Sequence, residues 1–116
     1  MSVTIYHNPR CSKSRETLAL LEEQGVKANV VEYLKTPMNL ETLNELIQQL
    51  GFSSAHQLVR NKETIYKELN LNKDTDEVVL RQAMINNPKL IERPIVVNQQ
   101  KAALGRPPES VLTILQ

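Results

Sequence analysis

Apolar positions follow two periods along this chain, and the change between them predicts its elements. Val3-Thr4-Ile5-Tyr6 is a short β-branched and aromatic run, which predicts a strand. From Ser12 to about Gln24 the spacing is helical, with Leu18, Leu20 and Leu21 as the apolar face. Cys11 or Ser12 can cap that helix, and Gly25 is placed to end it. Ala28 to Tyr33 predicts a second strand, with Val30 and Val31 buried. Thr36-Pro37 breaks the chain, after which Asn39 caps a helix bearing Leu40, Leu43, Leu46, Ile47 and Leu50 on one face, closed by Gly51. Three helical pieces follow: one started by Ser53 or Ser54 with Ala55, Leu58 and Val59, one with Ile65, Tyr66 and Leu69, and one capped by Asp74 or Thr75 with Val79, Leu80, Ala83 and Met84 inward. Asn86-Asn87-Pro88 stops the last of them.

The two-residue period then returns. Ile95-Val96-Val97 and Ala102-Ala103-Leu104 flank the polar Asn98-Gln99-Gln100-Lys101, a hairpin signal, and Pro108 opens a final helix with Val111, Leu112, Ile114 and Leu115. The element order is therefore β-α-β, a helical block, then β-β-α. Strand–helix–strand favours a parallel pair joined by a crossover. By analogy, the order as a whole is that of the thioredoxin-like (glutaredoxin-like) α/β fold, in which the hairpin joins the first two strands in a four-stranded mixed sheet. The 116 residues suit one domain, with residues 39–87 read as a helical insertion.

Composition narrows the function. Acidic and basic residues nearly cancel to a formal net charge of +1, so no global field for nucleic acid or a membrane surface is expected. No apolar run is long enough to span a bilayer, and the first residues lack the basic and apolar regions of a signal peptide, which predicts a cytoplasmic protein. The single cysteine excludes an intrachain disulfide and a Cys-x-x-Cys redox pair. With only His7 and His56 available as imidazoles, no metal site and no bound cofactor are expected.

That cysteine is Cys11, in the turn His7-Asn8-Pro9-Arg10-Cys11-Ser12-Lys13-Ser14-Arg15, with three cations and no carboxylate before Glu16. A thiol at a helix N-terminus among positive charges ionises easily, whereas a lone cysteine elsewhere is usually a small buried hydrophobe. Its polar, cationic setting points to a thiolate that acts on an anion. His7 can lower the sulfur's pKa, orient a water or bond the backbone. Asn8 and Ser14 can donate to the sulfur or an anion, or serve as ordinary turn and cap residues. His56 reads as a surface residue.

Arg93-Pro94 precedes the first hairpin strand and Arg106-Pro107 follows the second, so antiparallel pairing puts both guanidinium groups at one end. Two such groups suit bidentate capture of a tetrahedral oxyanion; alternatively, Glu92 and Glu109 neutralise them as salt bridges. Arg60 is either a third member or a solvated helix-terminal charge. Pro94, just ahead of a strand, is by the fold analogy a candidate for a cis peptide bond. A cysteine-phosphatase loop is excluded, because the position six residues after Cys11 is Thr17 rather than arginine.

The stretches Ile5 to Arg15, Leu58-Val59-Arg60, Tyr66-Lys67-Glu68-Leu69, Arg93-Pro94-Ile95-Val96-Val97 and Leu104-Gly105-Arg106-Pro107-Pro108-Glu109 together resemble the ArsC family of thioredoxin-like, glutaredoxin-linked arsenate reductases, and within it the short YfgD-type branch. The resemblance implies a catalytic Cys11, an activating His7 and an oxyanion clamp of Arg60, Arg93 and Arg106. It implies arsenate as substrate, glutathione as co-substrate and glutaredoxin as electron donor, in a protein that need be no more than a monomer. One departure is Ser12-Lys13, where well-characterised arsenic-resistance members often carry Gly-Thr. Two other classes share the fold. Spx-type regulators bind RNA polymerase, but those that sense redox state use Cys-x-x-Cys, and Ser14 stands at the second position here. Monothiol glutaredoxin-like proteins do not call for Arg93 and Arg106 or for the helical block.

Overall fold

A computed structural model describes residues 2–115 of the chain. They divide into two compact units, residues 2–36 with 93–115, and residues 37–92. Among the described residues, no helix is long and apolar enough to cross a membrane.

The first unit is built on a four-stranded mixed sheet in the order β2-β1-β3-β4. The strands are β1 (Val3–Tyr6), β2 (Ala28–Val31), β3 (Ile95–Asn98) and β4 (Lys101–Leu104). β1 runs parallel to β2, with Ile5 opposite Val30, and antiparallel to β3, with Ile5 opposite Val96. This is the thioredoxin-like fold. β3 and β4 pair with Ile95 opposite Leu104, so the hairpin closes through two residues, Gln99-Gln100, with Gln99 at φ +59. The polar Asn98 and Lys101 thus belong to the strands rather than to the turn.

Helix α1 (Ser12–Glu23) joins β1 to β2. Its fully buried positions are Ser14, Thr17 and Leu21, spaced as one helical face, while Leu18 and Leu20 are partly buried. The inward face is therefore half polar, which the leucine pattern did not predict. Val3, Ile5, Leu21, Val96, Val111 and Ile114 form the core of this unit. Each such side chain contributes about 1.5–3 kcal/mol by leaving water. The last segment, Pro108–Ile114, is a 3₁₀ rather than an α-helix. At three residues per turn Val111 and Ile114 share one face and are buried. The Asn98 amide donates to the Ile114 carbonyl at 2.6 Å and ties down that end.

In the second unit α2 (Leu40–Gln49) starts as its sequence predicts, with Asn39 accepting from the Thr42 N–H at 2.8 Å. Leu43, Leu46 and Ile47 are buried, but Leu40 is exposed. α1 and α2 end alike. Gly25 and Gly51 take φ of +74 and +77, and the next residues, Val26 and Phe52, donate back to Leu21 and Ile47. Two later pieces are shorter than their patterns suggest: a 3₁₀ turn at Ala55–Gln57 and α3 (Thr64–Glu68). α4 (Glu77–Asn86) is capped by Asp76, not by Asp74 or Thr75. Those two are engaged in the preceding turn, where the Asp74 N–H donates to Asn72 and the Thr75 hydroxyl accepts from the Asn72 N–H. A bridge between Val59 and Ile91 joins the two ends of this unit's later half.

Other apolar expectations fail as well: Leu69 is 41% exposed. Val30 is 47% exposed, because β2 is an edge strand paired on one side only. Val79 is 54% exposed, because Leu80 and Met84 alone make the narrow inward stripe of α4. The Arg93–Pro94 and Arg106–Pro107 peptide bonds are both cis.

Candidate active site

The chain leaves β1 at Tyr6 and makes one turn, at Pro9-Arg10, before α1. The His7 N–H donates to the Val31 carbonyl at 2.8 Å, which holds this segment against β2. Asn8 closes the turn: its side-chain oxygen accepts from the Arg10 N–H at 3.0 Å and its carbonyl accepts from the Cys11 N–H. Asn8 is thus a turn residue.

Ser14 is fully buried on the first turn of α1. Its hydroxyl oxygen accepts from the Asn8 N–H at 3.0 Å and bonds His7 Nδ1 at 2.7 Å. His7, only 6% exposed, is therefore engaged with Ser14. Burial pushes its imidazole down, Glu32 works the other way and Arg15 adds to the lowering. The ring stays neutral at neutral pH. Its bond to Ser14 ties His7 to the first turn of α1.

Cys11 occupies the N-cap of α1 and is 8% exposed. Its side chain makes no capping hydrogen bond of ordinary geometry. Burial, the largest influence, pushes the thiol up. The Ser14 N–H, the Arg93 guanidinium, the Lys13 N–H and the Arg106 guanidinium outweigh it and leave the pKa below the ordinary thiol value. Arg106 Nη2 stands 3.8 Å from Cys11 Sγ. Arg106 Nε donates to the Arg93 carbonyl at 2.8 Å, so the two residues that flank the hairpin are bonded directly. Two of the three cations near Cys11 in sequence are turned to other partners: Arg15 to the Pro9 carbonyl at 2.9 Å and Lys13 to Glu16 at 3.7 Å.

Arg60 belongs to the second unit. It pairs with Glu63 at 3.0 Å and Glu92 at 3.6 Å, and its N–H donates to the Leu90 carbonyl at 2.7 Å. Glu92 is thus a partner of Arg60. His56 is not surface filler: its Nε2–H donates to the Thr75 carbonyl at 2.9 Å. Among the described residues, no group of three or more His, Cys, Asp or Glu side chains could hold a metal ion.

Sequence reasoning missed Thr17, except as the residue that excludes a phosphatase loop. It is fully buried and its hydroxyl donates to the Lys13 carbonyl at 2.8 Å. The three-residue step from Ser14 to Thr17 was the available signal.

Residues 6–114 match the ArsC family model. The uncharacterized protein YfgD of Escherichia coli K12 is 60% identical over 97% of this chain and 96% of its own length. An arsenate reductase of Haemophilus influenzae is 49% identical over 99% of this chain and all of its own length. The solved structure of an arsenate reductase from Vibrio cholerae superposes with a TM-score of 0.95 at 56% identity, covering 98% of both chains.

Proposed function

The chain belongs to the ArsC family, and from that premise we propose that it reduces arsenate to arsenite through the Cys11 thiolate, with glutathione and glutaredoxin supplying the electrons. The observation that carries this reading is the Arg106 guanidinium 3.8 Å from the Cys11 sulfur, bonded in turn to the Arg93 backbone. An ionised sulfur beside fixed cations suits attack on an oxyanion, and the same cations neutralise charge that develops on its oxygens.

The Cys11 thiolate forms an S–As bond and an arsenate hydroxyl leaves as water, with arsenic still pentavalent. A glutathione thiolate then adds to arsenic with loss of a second water. A glutaredoxin thiolate attacks the glutathione sulfur and carries it off as a mixed disulfide, and the S–As electron pair stays on arsenic, which becomes trivalent. Hydrolysis of the remaining S–As bond releases arsenite and restores Cys11. A chain with one cysteine cannot close an intrachain disulfide, so both reducing thiols come from outside it.

His7 and Ser14 hold the loop that presents Cys11. For Arg60 a part in oxyanion binding rests on the family resemblance. The test is NADPH consumption that depends on arsenate, glutathione, glutaredoxin and glutathione reductase together. Cys11→Ser is expected to abolish it, and turnover near that of the unsubstituted protein would sink the assignment.

A further inference from the structure

Of the three glycines, two take a positive φ and have open space where a side chain would sit. Gly105 is the opposite case. A Cβ there would collide with Thr17 Oγ1, lie 2.7 Å from Pro94 Cγ and 3.1 Å from Thr17 Cγ2. Neither neighbour yields easily. Thr17 is fully buried and its hydroxyl is fixed to the Lys13 carbonyl, while Pro94 Cγ belongs to a ring. The Gly105 N–H also donates to the Pro94 carbonyl at 3.0 Å, so the end of β4 is clamped from two sides.

Thr17 lies on the helix that Cys11 caps, and Pro94 follows Arg93. Gly105 immediately precedes Arg106, whose guanidinium reaches both the Arg93 carbonyl and the Cys11 sulfur. A shift of a few tenths of an ångström at residue 105 passes directly into residue 106. We propose that Gly105 is a positioning residue, whose seat against Thr17 and Pro94 sets the reach of Arg106 to Cys11. The close approach of backbone to helix is the reason for a glycine here, since any side chain would push the strand end away from α1 and Arg106 with it. This rests on the reading of Arg106 as a cation acting on Cys11, but not on arsenate being the substrate.

The test is the pH profile of Cys11 alkylation by iodoacetamide, which uses the sole thiol and needs no arsenate. Arg106→Ala comes first, as a control on the underlying reading: an unmoved midpoint would mean that Arg106 does not act on the sulfur. Gly105→Ala is then expected to raise the midpoint by about 1 unit, as a displaced cation does. Gly105→Ala/Thr17→Ala, which gives the new methyl the space of the lost threonine side chain, is expected to recover at least half of that shift. Thr17→Ala alone is the reference for the double variant, since it takes the threonine out of the seat without adding a methyl. A Gly105→Ala protein with a lower melting temperature and an unmoved midpoint would overturn the proposal, because the glycine would then serve packing only. So would a folded double variant whose midpoint stays raised, whether or not Gly105→Ala folds alone. Failure of both to fold also counts against it, since the seat would then serve the whole fold.

Discussion

Cys11 and Glu77 are both acids whose anionic form the protein favours, yet they differ in how the anion is held. Around Glu77 burial pushes the carboxyl up, and the Ala55 N–H, the Ser54 hydroxyl and Arg81 more than reverse it. The donors are short and fill both oxygens. The Ala55 N–H lies at 2.9 Å and Arg81 Nε at 2.9 Å from one oxygen, the Ser54 hydroxyl at 2.5 Å from the other. Arg81 in turn donates to Asn44 at 2.9 Å. That carboxylate staples a 3₁₀ turn to α4, and Arg81 ties α4 to α2. At Cys11 a guanidinium nitrogen of Arg106 is 3.8 Å away, and the sulfur's anionic form is favoured by the Ser14 and Lys13 N–H groups and by the charges of Arg93 and Arg106. A lowered pKa therefore does not by itself mark a functional anion. A saturated oxyanion is structural, whereas a weakly bonded, polarisable thiolate with cations beside it keeps its nucleophilicity.

This contrast can be broken by exchanging the losses. Arg106→Ala and Arg93→Ala are expected to lower kcat/KM for arsenate by about 100-fold, as loss of one donor to a developing oxyanion does. Unfolding free energy should change by about 1 kcal/mol or less, as measured by urea titration. Comparable losses of activity and stability would place the two arginines with Glu77, as structural groups. Arg60→Ala is the sharper case, because Arg60 already carries two carboxylate partners. Loss of turnover without loss of stability would assign it to the oxyanion, and the reverse would assign it to Glu63 and Glu92.

Glu77→Gln has a smaller expected effect of the opposite kind. It should cost about 1 kcal/mol of stability, discounted for partial exposure of the carboxylate, and leave the alkylation midpoint of Cys11 in place. Its sign with pH follows from the lowered pKa. The folded protein holds the carboxylate more tightly than the unfolded chain does. The contribution of Glu77 is therefore complete above the ordinary carboxylate pKa and lost as pH falls through the lowered value. Urea midpoints of the two proteins should accordingly converge on acidification.

Local chemistry was legible along the chain, and long-range polar pairing was not. The Asn39 cap, the glycines that end α1 and α2, the hairpin and the convergence of Arg93 with Arg106 all rest on short spacings or on strand geometry. Glu77 finds Ser54 and Ala55 across more than twenty residues, a separation no periodicity encodes. His56 was misread for the same reason, since its partner is the Thr75 carbonyl. His7 was visible as a candidate, but its bond to Ser14 depends on how the loop folds back onto α1. Val30 looked buried because a β-branched strand reads alike at the centre and the edge of a sheet.

Cys11 ionises more easily than an ordinary thiol because of its place at a helix N-terminus and of Arg93 and Arg106 beside it. The rate of its alkylation against pH in the unsubstituted protein measures this most directly. A midpoint below about 8.5, the value of a free thiol, is predicted, and a midpoint at or above that value would contradict the claim.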